Sequence, residues 1–171
     1  MTIHWWDTDK AVEELAEGNV SEQDALYYAM IGALMYTQAS YYCTWFGGSQ
    51  SLLLIYECIV VAIISVVGVN ECFKANGGAQ GADFLKRLSI ISVPVGIKVG
   101  VAGIFVGQAA YFGFPYIVTT ENFRDPGRAY HLFGFVQGTA FMFIFYWRMT
   151  THFSRLRRRQ QANLPDHDVA G

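Results

Sequence analysis

Four long apolar segments alternate with short polar ones along this chain of 171 residues. They cover residues 25–46, 51–72, 88–112 and 129–149. Each has about the length, ~20 residues, that an α-helix needs to cross the hydrocarbon core of a bilayer. The pattern predicts an all-α integral membrane protein, a bundle of four transmembrane helices arranged as two antiparallel hairpins.

The first polar segment, residues 1–24, predicts a short amphipathic helix on the cytosolic side. Asp7 or Thr8 can cap the start of this helix, and Gly18 suits its end. The sequence SEQD at residues 21–24 resembles a capping box and is expected to begin the helix that carries the first span. We therefore expect an amphipathic helix packed near the membrane, followed by the bundle.

Basic residues in the short polar segments predict the orientation. Residues 25–152 are expected to form the bundle, and residues 153–171 a basic, then flexible, cytosolic tail. The Lys and Arg residues between spans two and three fall on the same side as those after span four. Because such residues stay on the cytoplasmic side, both termini are expected there, in a bacterial inner (plasma) membrane.

The composition agrees with an integral membrane protein, since 53% of residues are hydrophobic and only 15% charged.

Two ionisable residues interrupt the apolar spans, Glu57 in span two and Lys98 in span three. Charges at bilayer depth are costly, and they are usually paired or face a wet cavity. Counted from the expected span ends at Cys72 and Arg87, the two residues lie at similar depths, which predicts an intramembrane Glu57–Lys98 pair. The pair could fix helix register, either residue could instead reach the headgroups, or the two could line a conducting path.

Glycines recur at helical spacing in spans three and four, where they predict close contact with a neighbouring helix. They are Gly96, Gly100, Gly103, Gly107, Gly134 and Gly138.

The start of the tail carries an arginine row, defined as Arg155, Arg157, Arg158 and Arg159. These residues are candidates for contact with anionic lipid headgroups or with a partner. They could also simply enforce orientation. A third possibility is that the acidic N-terminal segment docks on them, within one chain or between subunits, in which case salt should weaken the contact.

Catalytic and metal-ligating patterns are missing from the sequence. The four histidines are scattered, and no phosphate-binding glycine loop or CxxC pair occurs. We therefore expect no enzymatic activity, no cofactor, no metal and no nucleic-acid partner. The expected partners are the lipid bilayer and either further copies of the chain or a second protein subunit.

Two functions are compatible with this pattern. The first is a small non-catalytic membrane subunit with an assembly, regulatory or protective (immunity- or defence-type) role, acting through helix–helix and cytosolic-face contacts. The alternative is a small homo-oligomeric ion channel or proton-conducting pore that uses Glu57 and Lys98.

Overall fold

The computed structural model describes residues 4, 6–32, 34, 51–81, 83–117 and 126–162, and these residues form helices without any strand. The helices are α1 (Thr8–Ala16), α2 (residues 22–32), α3 (Ser51–Ala75), α4 (Phe84–Ile117) and α5 (Pro126–Ala162), with a 3-10 turn at Gly78–Gln80. An all-helical fold is thus confirmed for this part of the chain. Most of the predicted first span and the end of the tail lie outside the described residues.

The predicted signals at the start of α1 and α2 are confirmed. An Asp7 carboxylate oxygen accepts a hydrogen bond from the backbone N–H of Lys10, at 3.2 Å. Gly18, with φ of +73°, follows the end of α1 in the left-handed conformation that glycine favours. At α2 the capping box is reciprocal, because Ser21 N–H donates to the Asp24 carboxylate and Asp24 N–H donates to the Ser21 hydroxyl, both at 3.1 Å.

Helix α5 packs against α3, and the two helices run in the same direction. Gly68 of α3 faces the ring of Tyr146, and one turn further on the Cys72 thiol lies 3.6 Å from the Thr150 hydroxyl. A Cβ atom at Gly68 would overlap the Tyr146 ring. The absence of a side chain at Gly68 therefore determines how closely α3 and α5 approach.

Helix α4 packs against α5 in the opposite direction. A Cβ at Gly103 would lie 3.6 Å from the Phe141 ring, and one at Gly107 would lie 3.1 Å from the amide nitrogen of Gln137. That amide also donates a hydrogen bond of 3.1 Å to the carbonyl oxygen of Gly103. The glycines bring the α4 backbone close enough for α5 to contact it directly.

The predicted glycine contacts divide into two groups. Gly96, Gly103 and Gly107 do face α5, Gly96 opposite Phe145. Within the described residues, nothing lies within 4 Å of a Cβ placed at Gly100, Gly134 or Gly138. The α5 surface that meets α4 is formed by large side chains rather than by a second row of small residues.

The buried core lies at the end of the bundle where α4 begins and α5 ends. Its largest members are Ile90, Ile91, Val93, Met149, Phe153 and Leu156, together with Ala11, Val12 and Leu15 of α1. Toward the opposite end the long helices expose large apolar side chains, among them Ile55, Ile59, Ile63, Phe105, Val136 and Phe143. One half of the described structure therefore has a buried core, whereas most of the exposed large apolar side chains lie toward the other half; Leu26, Phe73 and Leu85 are exposed exceptions at the packed end.

Two helices are long and apolar enough to cross a membrane. They are the segments Ile55–Ala75 and Phe84–Ala109, found among the described residues. This supports membrane association, and it is a coarser result than the four spans that the sequence predicts.

We expect Gly68→Ala to weaken the α3–α5 contact, because the added methyl group overlaps the Tyr146 ring. Overpacking of this kind costs about 1–3 kcal/mol in the free energy of unfolding, which can be measured by denaturant titration in mild detergent. Gly138→Ala is the matched control, because open space surrounds Gly138 among the described residues. Equal stabilities for the two variants would contradict the close approach at Gly68.

Candidate functional site

Helix α1 docks on α4 and α5 through an apolar side of its own. Ala11, Val12 and Leu15 are buried, whereas the charged residues of the helix point outward. Burial of a Val or Leu side chain contributes about 1.5–3 kcal/mol relative to exposure. The surface that α1 forms with the facing parts of α4 and α5, called the docking face below, is the candidate functional site.

Lys98 attaches the start of α1 to α4. Its amino group donates a hydrogen bond of 3.1 Å to the hydroxyl oxygen of Thr8, which is 1% exposed. A charged donor strengthens such a bond, and loss of either partner would leave a buried polar group unsatisfied. Lys98 thus acts as an anchor for α1.

The predicted Glu57–Lys98 pair is not among the contacts of the described residues. Asn76 and Arg87 define a common level for α3 and α4, because the Arg87 guanidinium donates to the Asn76 side-chain oxygen at 2.9 Å. Lys98 lies eleven residues from Arg87, or ~17 Å along the helix, whereas Glu57 lies nineteen residues from Asn76, or ~28 Å. The difference of ~11 Å is too large for a salt bridge.

The relative position of the helices acts against the pair as well. Helix α5 packs along both α3 and α4, and these two helices make no contact of comparable extent. Glu57 is half-buried on α3 and has no ion pair among the residues described.

The turn between α3 and α4 contains a buried polar contact that the sequence alone did not indicate. Asn76 and Arg87, bonded as described above, are both nearly inaccessible to solvent. A Cβ at Gly81 would overlap the Asn76 backbone oxygen and side-chain amide, so glycine is needed there. Gly77 adopts a φ of +111°, which glycine alone takes readily. Together these residues fix where α4 begins.

The residues of the arginine row have different neighbours: two contact α1, and one points toward the turn after α3. The guanidinium of Arg155 lies 3.4 Å from the Asp9 carboxylate, and that of Arg159 lies 4.0 Å from the Glu13 carboxylate. Arg157 points toward Gly77 instead, and Arg158 has no ion pair among the described residues. Docking of the acidic segment on the basic tail, one of the possibilities that the sequence raises, is therefore present within one chain.

A cleft opens where α1 meets the last turns of α5. Its volume is about 340 Å³, and it is lined by Asp9, Val12, Arg155, Arg158 and Arg159. The lining combines three guanidinium groups with one carboxylate and one aliphatic side chain. Positive charge is thus in excess on the α5 side of the cleft.

His152 lies beneath the docking face, beyond the predicted fourth span. It is 5% exposed, and its Nδ1 atom has no hydrogen-bond partner among the described residues. Burial lowers the pKa of His152 from 6.5 to about 4. The nearby cations Arg155, Arg148 and Lys98 lower the pKa further, whereas the negative charge of Asp9 raises it. The ring is therefore neutral at pH 7.

No sequence motif assigns a role to His152, although the sequence does contain a signal for its burial. Met149, Phe153 and Leu156 recur at helical spacing, and His152 belongs to the same side of α5.

Comparison with family models, with curated proteins and with solved structures finds no match. The functional interpretation therefore depends on the geometry of the docking face. Among the described residues, no group of three or more His, Cys, Asp or Glu side chains is arranged to hold a metal ion.

Lowering the pH from 7 to 4 should destabilise the protein through His152. The unfolded histidine takes up a proton near pH 6.5, whereas the folded one does so only near pH 4. The contribution of His152 to the free energy of unfolding is therefore fully present above pH 6.5 and is lost as the pH falls toward 4. At ~1.4 kcal/mol per pKa unit, the loss amounts to about 3 kcal/mol.

The measurement is the free energy of unfolding against pH for the wild type and for His152→Gln. Other groups titrate in both proteins, so the difference between the curves isolates His152. The variant should lose less stability over this range, and parallel curves would exclude the assigned pKa.

Replacing Lys98 by Met should loosen α1 by about 1–3 kcal/mol, because the buried Thr8 hydroxyl loses its donor. Hydrogen exchange of the α1 amides measures this directly. Thr8→Val should give a similar loss, and the double variant less than the sum of the two. Additive losses would show that the two groups do not interact, and Glu57→Gln serves as a control that leaves α1 unchanged.

Proposed function

We propose that the protein is a small non-catalytic integral membrane subunit, with an assembly, regulatory or protective role, that engages other proteins through its helices and its docking face. One observation carries the proposal. A buried hydrophobic core, covered by the amphipathic helix α1, occupies one end of the bundle, and most of the exposed large apolar side chains lie toward the other end. Such a division suits a protein that is partly in lipid and partly in water.

The polar residues suggest where the bilayer begins. Lys98 binds the polar helix α1, and the exposed pair Trp147 and Arg148 is typical of a membrane–water interface. From Lys98 to the end of α4 at Ile117 the helix contains 20 residues, which is ~30 Å and matches a hydrocarbon core. In this frame α3, α4 and α5 contain spans two to four, and the third begins at Lys98 rather than at residue 88. The later part of residues 25–46 supplies the first span, because Gly32 lies beside Val93, before Lys98.

The same frame leaves the beginning of α4 and the last turns of α5 in water, beside α1. With the arginine row and Lys86 at this end, the positive-inside rule favours a cytoplasmic position for both termini, in a membrane such as a bacterial inner membrane. The cleft at the edge of the docking face would then be open to cytosolic partners, while the buried Ala11 and Leu15 hold α1 in place.

One side of α3 is suited to contact within the membrane. Ile55, Ile59, Ile63 and Val66 follow helical spacing, and all four are exposed in the described structure. This stripe can face lipid, a second subunit or another copy of the chain. Self-association through it is compatible with the proposed role.

The pore alternative has less support. It uses Glu57 and Lys98 as lining residues, and the amino group of Lys98 is already bonded to the Thr8 hydroxyl. Glu57 alone, half-buried in an apolar helix, is the residue on which a pore would depend.

The test is to extract the full chain into lipid nanodiscs under mild conditions and to determine its mass together with bound protein. We expect a second polypeptide that is retained by the wild type and released by Val12→Asp, which places a charge under α1. Lys10→Ala, on the exposed side of α1, should retain it. A closed homo-oligomer whose conductance is abolished by Glu57→Gln would overturn the proposal in favour of the pore.

A further inference from the structure

We propose that the cleft between α1 and the end of α5 binds a phosphate monoester, and that α1 is the internal competitor for this site. In the described structure the carboxylates of Asp9 and Glu13 lie where anionic oxygens of a ligand would lie. The proposal rests on the docking face assigned above and adds to it a ligand class and a mode of regulation.

The arrangement of the arginines suits a phosphate group. Arg155, Arg158 and Arg159 are three and four residues apart, so they project from one side of α5. The guanidinium fork matches phosphate oxygens in pairs, which makes arginine a preferred residue for this ligand. At about 340 Å³, the cleft has room for a phosphate with a small organic group.

The ion pairs that occupy the arginines at present are long and exposed. Arg155 and Asp9 are 3.4 Å apart with side chains 55% and 71% exposed, and Arg159 and Glu13 are 4.0 Å apart and similarly exposed. Exposed pairs of this kind contribute little to stability. Arg158 is exposed and makes no ion pair within the described residues.

Phosphate binding and α1 docking oppose each other through Asp9, which lines the cleft directly. A dianion bound to the guanidinium groups would remove the partner of Asp9 and bring like charge beside it and Glu13. Helix α1 would then be held by the burial of Val12 and by the Lys98–Thr8 hydrogen bond, without the two ion pairs to Arg155 and Arg159. Linkage requires that a ligand which weakens α1 docking is itself bound more tightly when α1 is released.

The phosphate could belong to a lipid headgroup or to a soluble metabolite. In the bilayer frame proposed above, Arg155 lies seven residues beyond Arg148, or ~10 Å from the interface, and Arg159 lies ~16 Å from it. Arg155 is thus nearer to headgroups, whereas the rest of the cleft is nearer to soluble ligands. Both sources share the monoester dianion.

The experiment uses the full chain in nanodiscs of phosphatidylcholine and follows hydrogen exchange of the α1 amides. In one arm, inorganic phosphate or glycerol phosphate is added at constant ionic strength, with chloride as the reference. In the other arm, a fraction of the lipid is replaced by phosphatidic acid. We expect exchange of the α1 amides to become severalfold faster in at least one arm, and the arm that responds identifies the source.

Two variants test the site itself. Arg158→Gln should weaken phosphate binding by about tenfold or more, the loss of at least one charged hydrogen bond, while α1 exchange in phosphate-free buffer stays as in the wild type. Arg157→Gln is the matched control, because Arg157 points toward Gly77 and does not line the cleft; it should bind phosphate normally.

The proposal is overturned if chloride accelerates α1 exchange as much as phosphate does, if neither arm responds, or if Arg157→Gln and Arg158→Gln bind phosphate equally. These outcomes are separate from failure of the proposed function, since retention of a protein partner by the docking face is measured in phosphate-free buffer.

Discussion

Burial of one side of α5 is the interaction on which the rest of the structure depends. Met149, Phe153 and Leu156 are fully buried, and α5 packs against α1, α3 and α4. Each such side chain contributes about 1.5–3 kcal/mol by leaving water. Since α3 and α4 make little contact with each other, and α1 rests on α4 and α5, the four helices α1, α3, α4 and α5 are held together chiefly through α5.

Two different kinds of contact operate along this one helix. Near its end the contact is a hydrophobic core, in which Phe84 and Phe153 approach with ring centroids 5.6 Å apart. Toward its beginning, glycines of α4 admit the Gln137 amide and the Phe141 ring against the backbone. In the bilayer frame proposed above this end lies in lipid, where burial of apolar area gives no advantage and close packing and polar contacts act instead. The change from one kind to the other falls near the level of Lys98.

The sequence was sufficient for features that depend on local chemistry. Helical periodicity, the Asp7 cap and the Ser21–Asp24 box each involve residues within one turn of each other, and the structure contains all of them. The partner of Lys98 was not accessible in this way. Helix α3 continues to Ala75, beyond its predicted end at residue 72, and this moves Glu57 away from the level of Lys98. A contact between residues 90 positions apart depends on how whole helices pack.

The order of the helices along the chain has a consequence for biosynthesis. Helix α1 is made first, but its binding surface is completed only when α5 has been made; Asp9 and Arg155 are 146 residues apart. At ~5–20 residues per second, α1 waits on the order of 10 s with Val12 and Leu15 uncovered. Docking of α1 on α5 can therefore begin only after α5 has been made. A chain that stalls before α5 leaves part of the apolar side of α1 exposed, which marks it as unfinished to chaperones and proteases.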